Sequence, residues 1–455
     1  MRARLRSVPL PVALLAVVSV LSLGARVAWL GYPCQSPCTT TADHLLIFDE
    51  VYYVNAARVI DGIRPAAGAH YATAPLGDDP NSEHPQLVKL VIAGAIELFG
   101  DNPLAWRLGS LIAGSLAILG MWALARAAGA GRWLALGAGT LMSADNLLLV
   151  AGRIGTLDIY AVAAIVWAIA LYVRRRPFSA ALVLGIGAAC KEVAVYALLV
   201  AVLFECFTAL GLRPSLHTLA RSAGRLAVLA VGSFAVFMAL LELLGVIAPP
   251  YDPGTGKLVP SGALGHLQHM ISYAATLTSP NGPQGIASYP WEWLVDYKPI
   301  VYLSIAPGTS APGLVHDHPE SMFLGMISPP IMLLALPALG VAAFGVWRAA
   351  RRRAPAPAPA PAPVPAPRED DFAPGAAATL GLAWFLAAFL PFEALSLFLQ
   401  RTSYLYYMII VMPGIYLAVA ALVARLRRRR WLVGIWMLAV LAAAVVMYPF
   451  MPINW

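Results

Sequence analysis

Charge is scarce in this chain: Asp, Glu, Lys and Arg together make up 12% of 455 residues, against 60% hydrophobic. So little charge cannot cover a water-facing surface. That excludes a soluble globular protein, and a mean hydropathy of +0.73 with repeated apolar runs of about 20 residues marks membrane helices. Cysteine is scarce too, and four are too few for a disulfide framework. Cys34 and Cys38 stand close together after the first apolar run, where they either pair or remain as surface thiols. Cys190 and Cys206 lie inside apolar runs and read as packing residues. Acidic residues are the minority sign, 23 against 31 basic, for a net charge of +8. The excess is Arg grouped at the ends of hydrophobic runs, which topology explains better than nucleic acid does.

What is abundant is apolar sequence. The opening Met1-Arg2-Ala3-Arg4-Leu5-Arg6 and the run to Leu30 exceed a signal-peptide core, so we expect a retained signal-anchor helix. The pattern predicts an all-α polytopic membrane protein with 11 helices near 9–31, 103–126, 132–150, 155–173, 178–190, 191–210, 224–247, 324–347, 374–399, 403–424 and 431–449. With a cytoplasmic N-terminus, the inside connections hold Arg126 and Arg132; Arg174 to Arg176; Arg213, Arg221 and Arg225; Arg348 and Arg351 to Arg353; and Arg425 with Arg427 to Arg430. Every cluster then falls on one side, as the positive-inside rule requires. The long polar loops 32–102 and 248–323 fall outside, which implies a multi-pass plasma-membrane protein. Segment 86–99 is apolar but short, and counting it as a span would invert every later cluster. We expect it to lie in or dip into the outer interface. Residues 1–347 form the expected membrane core, 348–373 an inside linker built on the Ala-Pro repeat, and 374–455 a final group of three helices.

This topology gathers ionisable residues that are far apart in sequence. Asp49, Glu50, Glu83, His84, Lys89, Arg107, Asp145, Arg153, Asp158, Lys191, Glu192 and Arg401 each fall at the outer end of a helix or in an outer loop. Carboxylates and cations at one membrane face make a site for an anionic head group and a general base. Singly each has a structural reading. Asp49 and Asp158 suit helix N-caps, and Arg107 and Arg401 can snorkel to head groups. Lys191 and Glu192, being adjacent, do not share a helix face, so separate partners are expected. In the second loop, Ser288-Tyr289-Pro290-Trp291-Glu292-Trp293 alternates rings with polar groups, which suits carbohydrate contact or an interfacial aromatic belt.

Seven motifs carry a family resemblance: Phe48-Asp49-Glu50-Val51, Glu83-His84-Pro85-Gln86-Leu87-Val88-Lys89, Trp106-Arg107-Leu108, Gly152-Arg153-Ile154-Gly155-Thr156-Leu157-Asp158, Cys190-Lys191-Glu192, the Ser288–Trp293 segment, and Arg401-Thr402-Ser403-Tyr404-Leu405-Tyr406-Tyr407. Their order resembles that of the protein O-mannosyltransferases, within the GT-C superfamily of polyprenyl-phosphate-sugar-dependent glycosyltransferases. The resemblance runs from about residue 40 to the C-terminus and implies the GT-C fold, about 11 helices and two long extracytoplasmic loops. It also implies that Asp49 takes the proton from the acceptor hydroxyl and that Glu50 orients the acceptor or the loop. His84, Lys89, Arg107, Arg153, Asp158, Lys191, Glu192 and Arg401 then serve the donor phosphate and substrate, and Tyr289, Trp291 and Trp293 the acceptor or sugar. The implied partners are a polyprenyl-phosphate-mannose donor, a secreted or translocating protein acceptor and the bilayer, with the site facing outward. The family's usual His-Pro-Pro-Leu-Gly-Lys reads His84-Pro85-Gln86-Leu87-Val88-Lys89 here, which changes that turn. The 248–323 loop is also too short for the lumenal β-trefoil of eukaryotic members.

Chemistry on the residues agrees with that implication. Several cations suffice to stabilise the leaving phosphate, so no metal ligand is assigned, although the outer carboxylates offer a divalent cation a place to bind. The nearest alternative is a GT-C enzyme moving aminoarabinose, arabinose or another sugar to a lipid or glycan. A transporter or flippase would want midplane charges and inverted repeats, which the sequence lacks, and a non-catalytic assembly subunit would tolerate loss of Asp49.

Overall fold

The computed structural model describes residues 8–34, 39–211, 214–305, 321–352 and 376–448. Helix α1 (Leu10–Val27) is followed by α2 (Glu50–Ile60) and α3 (Leu87–Phe99). The membrane core follows as α4 (Pro103–Ala127), α5 (Arg132–Ala144), the short α6 (Asn146–Ala151), α7 (Asp158–Val173), α8 (Pro177–Cys190), α9 (Tyr196–Gly211) and α10 (Leu216–Ile247). The second loop carries the antiparallel ribbon β1–β2 (Tyr251–Asp252, Lys257–Leu258), α11 (Gly262–Thr276), the single turn α12 (Pro290–Trp293) and the ribbon β3–β4 (Ile300–Ile305, Ser321–Gly325). Helices α13 (Pro329–Arg352), α14 (Ala377–Leu399), α15 (Met412–Arg425) and α16 (Arg430–Val446) complete the bundle.

Among the described residues, six helices are long and apolar enough to cross a membrane: 10–27, 103–127, 192–211, 216–247, 329–352 and 377–399. Helices α7, α8, α15 and α16 are apolar but shorter, at 10–17 residues. The structure interrupts the apolar runs at three places, one of which, the boundary between 178–190 and 191–210, the sequence also predicts. The run expected over 132–150 splits at Asp145, whose carboxylate accepts from Leu147 N at the start of α6. At Lys191 the chain becomes extended (φ −158°, ψ 132°) before a 3₁₀ turn over Glu192–Val195 opens α9. The helix expected from 403 begins instead as a 3₁₀ turn over Leu405–Ile410. Backbone freed from a helix at membrane depth survives only where protein or a cavity satisfies it, so each break marks a place where polar groups converge.

Packing follows from small residues and caps. Asn102 accepts from Leu104 N and Ala105 N, and Pro103 opens α4, a strong start signal. Helices α14 and α15 touch backbone to backbone: a Cβ on Gly381 would lie 2.7 Å from Gly414 O, and one on Gly414 would lie 2.8 Å from Gly381 O. Buried residues of α14 and α15 join those of α4, α5 and α7 in one core. Segment 86–99 is α3, which buries Val88, Ile92 and Ile96 in a smaller cluster with Tyr53, Val54 and Trp106. The Ala-Pro repeat and Cys38 lie outside the described residues; Cys190 and Cys206 are free thiols.

The bundle has two unlike poles. Helix α7 runs from Asp158 to Arg174–Arg176, α8 returns to Lys191, α14 ends beside Arg401, and α15 ends at Arg425. Ala376 N donates to Ala128 O at 3.0 Å, which joins the start of α14 to the α4–α5 turn between Arg126 and Arg132. Asp158, Lys191 and Arg401 therefore stand at one end, and Arg174–Arg176, Arg425 and the α4–α5 turn at the other.

Candidate functional site

At the first pole a cavity of about 820 Å³ opens among α2, α11, the Lys191 break and the segment after α14. That volume lies within the about 300–1,000 Å³ usual for ligand sites. Asp49, His84, Lys191, Glu192 and Arg401 all line it, although they come from four separate stretches of sequence.

Asp49 occupies the N-cap position of α2 yet makes no side-chain capping bond, so its carboxylate is not spent on the helix. Burial pushes its pKa up to about 6, partly offset by the Lys191 ammonium. The preceding Phe48 sits at φ +54°, a left-handed conformation costly for a bulky residue. What holds it there is aromatic: its ring stacks on Tyr302 at 4.3 Å and meets Tyr406 edge-on at 5.5 Å.

Lys191 and Glu192 do take separate partners. Lys191 Nζ donates to Asp158 Oδ1 at 2.7 Å and lies 5.4 and 5.8 Å from the ring centres of Tyr406 and Tyr407. Glu192 Oε2 is 3.4 Å from His84 Nδ1. Asp158 is therefore an ion-pair partner, with Leu157 at the cap position instead. Arg401 donates to Ala274 O. Around it the second loop lies along the chain after α14: Ser279 N donates to Gln400 O at 2.7 Å, Thr402 N to Leu277 O at 2.9 Å and Ser288 N to Ser403 O at 2.9 Å. This pairing roofs the cavity.

A second group of expected site residues lies beneath the cavity wall and does not reach it. Glu50 is fully buried and accepts from four donors: Arg107 Nε at 2.8 Å, Arg107 Nη2 at 2.7 Å, Ile47 N at 2.8 Å and Gly155 N at 2.7 Å. Gly155 is needed for that approach, because a Cβ there would lie 2.8 Å from Trp106 O. Lys89 is fully buried and donates to Asp79 Oδ2 at 2.5 Å and to the carbonyls of Asn81 and His84. Arg153 donates to Tyr448 Oη at 3.1 Å and to the carbonyls of Ala28 and Trp29. Of the basic residues expected to serve the donor phosphate, Lys191, Arg401 and His84 line the cavity. Tyr289, Trp291 and Trp293 stay off the cavity wall. Tyr289 and Trp291 stack on each other at 4.2 Å, and Trp293 is buried against Phe392 with Nε1 donating to Ser288 Oγ at 2.9 Å.

Sequence reasoning passed over the aromatic wall made by Phe48, Tyr404, Tyr406 and Tyr407, which was legible only as a run of rings beside Arg401. Among the described residues, no group of three or more His, Cys, Asp or Glu side chains is placed to hold a metal ion.

The architecture is the GT-C fold. Over 99% of this chain and 91% of the other, the structure aligns with a chain of the S. cerevisiae protein O-mannosyltransferase Pmt1–Pmt2 complex bound to the sugar donor, at a TM-score of 0.67 and 12% identity. Residues 83–241 match the family model of dolichyl-phosphate-mannose-protein mannosyltransferases. The polyprenol-phosphate-mannose–protein mannosyltransferase of Mycolicibacterium smegmatis is 26% identical across 90% of this chain and 81% of its own length. Its counterpart from Corynebacterium glutamicum is 34% identical over 149 residues, which span 32% of this chain and 27% of that protein. In sequence, then, the chain is similar to protein mannosyltransferases.

Proposed function

We propose that this protein transfers mannose from a polyprenyl-phosphate-mannose donor to Ser or Thr hydroxyls of exported proteins, by a single displacement with inversion. One observation carries the reading: Asp49, uncommitted to helix capping, shares a cavity with Lys191 and Arg401. Asp49 takes the acceptor's hydroxyl proton as its oxygen bonds to C1 of the sugar. The C1–O bond to phosphate breaks, and the polyprenyl phosphate leaves against the Lys191 ammonium and the Arg401 guanidinium. A β-linked donor gives an α-linked product. Val195, Ile286 and Leu399, all exposed, line the cavity edge and supply an apolar exit for the polyprenyl tail.

The arginine-rich pole supports an orientation with that end in the cytoplasm of a plasma-membrane protein, and the cavity open to the outside. Neither the sugar nor the acceptor is fixed by side chains alone, so the test offers both. Purified protein is incubated with labelled polyprenyl phosphate mannose and a Ser/Thr-rich peptide, and the product is analysed by mass. Label on the peptide supports the proposal. Label on a lipid or glycan, or undiminished transfer by Asp49→Asn, overturns the acceptor or base assignment respectively.

A further inference from the structure

We infer that the arginine-rich pole carries a binding site for an anionic phospholipid, seated between α5, α15 and α16 and separate from the catalytic cavity. A second cavity of about 880 Å³ lies there. None of the residues lining the first cavity comes from these three helices. Its walls are apolar and low, with Gly137 and Leu141 on α5, Ala420 and Ala424 on α15, and Val433 and Met437 on α16. Helix α16 buries only Val440 among its described residues, so the groove beside it is not closed by protein packing. It is nevertheless tied in place, because Trp436 Nε1 donates to Pro330 O on α13 at 2.8 Å.

The mouth of the groove identifies the occupant. Arg427, Arg428 and Arg430 line it and are exposed, at the turn where α15 ends and α16 begins. Trp133 and Trp436 line the same cavity, as amphipathic rings do near head groups. An apolar groove with three guanidinium groups at one end fits a ligand of matching polarity. Acyl chains lie along Gly137, Ala420 and Met437, and a phosphodiester receives forked N–H donors at the mouth. Basic pockets between membrane helices on one face are the usual form of anionic-lipid sites. Such a lipid would bridge α16 to α5 and α15 and stabilise the bundle by linkage, since it binds only the folded state.

The test uses the full-length protein in neutral detergent. Phosphatidylglycerol, phosphatidylcholine with the same chains, and glycerol phosphate are each added, with binding read by native mass spectrometry and by the thermal midpoint. We expect phosphatidylglycerol to bind and raise the midpoint, and the other two to do neither. Arg427→Gln with Arg428→Gln and Arg430→Gln should weaken phosphatidylglycerol about a hundredfold. Gly137→Phe, which fills the groove and leaves the arginines, should also abolish retention. A cooperative thermal transition and monodisperse elution in lipid-free detergent serve as the check that both variants are folded, independently of any sugar transfer, and the arginine triple decides alone if Gly137→Phe fails it. Equal binding of phosphatidylcholine, an equal response to glycerol phosphate, or unchanged phosphatidylglycerol binding by the folded triple variant would each overturn the inference.

Discussion

Asp49 and Glu50 are neighbours in sequence and opposites in the fold. Asp49 faces a cavity without a capping bond, and Glu50, one residue on, is sealed beneath the wall with four donors around it. The contrast extends to the cations. Lys191 and Arg401 line the cavity, whereas Lys89 and Arg107 are buried and bound to Asp79 and Glu50. The wall holds the groups that can meet a substrate, and the layer under it uses ion pairs to fix where the wall stands. A buried pair with every lone pair satisfied contributes little net stability but a great deal of position, because breaking it leaves a bare charge.

The largest effect that separates the two layers is on transfer. Asp49→Asn should lower the rate about 10²–10⁴-fold, the usual worth of a positioned base, with a thermal midpoint at neutral pH that is unchanged or higher, since it removes a carboxylate whose ionised form burial penalises. Glu50→Ala should do the reverse: it strands the Arg107 guanidinium and two backbone N–H groups, for a loss of about 3–5 kcal/mol in thermal or denaturant unfolding. Exchanged outcomes, with Asp49→Asn unfolding the protein and Glu50→Ala leaving it stable, would invert the comparison. Adding Arg107→Met to Glu50→Ala should recover part of the loss only, since Ile47 N and Gly155 N remain without their acceptor.

How much of this division could be read beforehand depends on what each residue signals. Composition and the Arg clusters gave the bundle and its two poles, because bilayer thickness and charge bias act on every helix in the same way. Asp49, His84, Lys191, Glu192 and Arg401 do line one cavity, and the sequence had placed each at a helix end or in a long loop on one side. What the sequence hid was the assignment of partners. Arg107 and Arg401 look alike as residues at helix ends, and only tertiary packing makes one a strut for Glu50 and the other a cavity wall. The helix break at Asp145 was hidden for a related reason, whereas the boundary at Lys191 was expected. Asp145 is neither a proline nor a glycine, and its break is stabilised by a distant group, Tyr416 Oη at 2.6 Å, as the Lys191 boundary is by Asp158 at 2.7 Å.

Arg401→Ala sharpens the comparison among cations. A charge-assisted hydrogen bond to phosphate is worth about 1.5–3 kcal/mol. The variant should therefore raise the donor KM by about tenfold or more and leave stability nearly intact, whereas Lys89→Ala should unfold the protein before any donor effect can be measured. A smaller, graded effect comes from pH. Burial holds the Asp49 pKa up at about 6, and the base must be ionised to act. As pH falls through about 6 the carboxylate gains a proton, so kcat/KM should decline by about tenfold per unit below that point and level off above it. A limb at the usual carboxylate value, near 4, would mean that Asp49 is solvated in the working enzyme.

The smallest expected effect concerns the loop aromatics, and it tests whether the cavity wall has been drawn in the right place. Trp291 is exposed, stacks only on Tyr289 and does not line the cavity. Trp291→Ala should then cost within about 0.5 kcal/mol in stability and change transfer to a short peptide less than about threefold. Trp293, one turn position away but buried beneath Phe392 and Tyr407, supplies the internal control. Its truncation to Ala should destabilise by about 3–5 kcal/mol through the cavity it leaves. If Trp291→Ala instead raised the peptide KM tenfold with the donor KM unchanged, the acceptor would reach beyond the cavity onto the outer loop. The working surface would then include the stacked Tyr289 and Trp291 rings of the second loop.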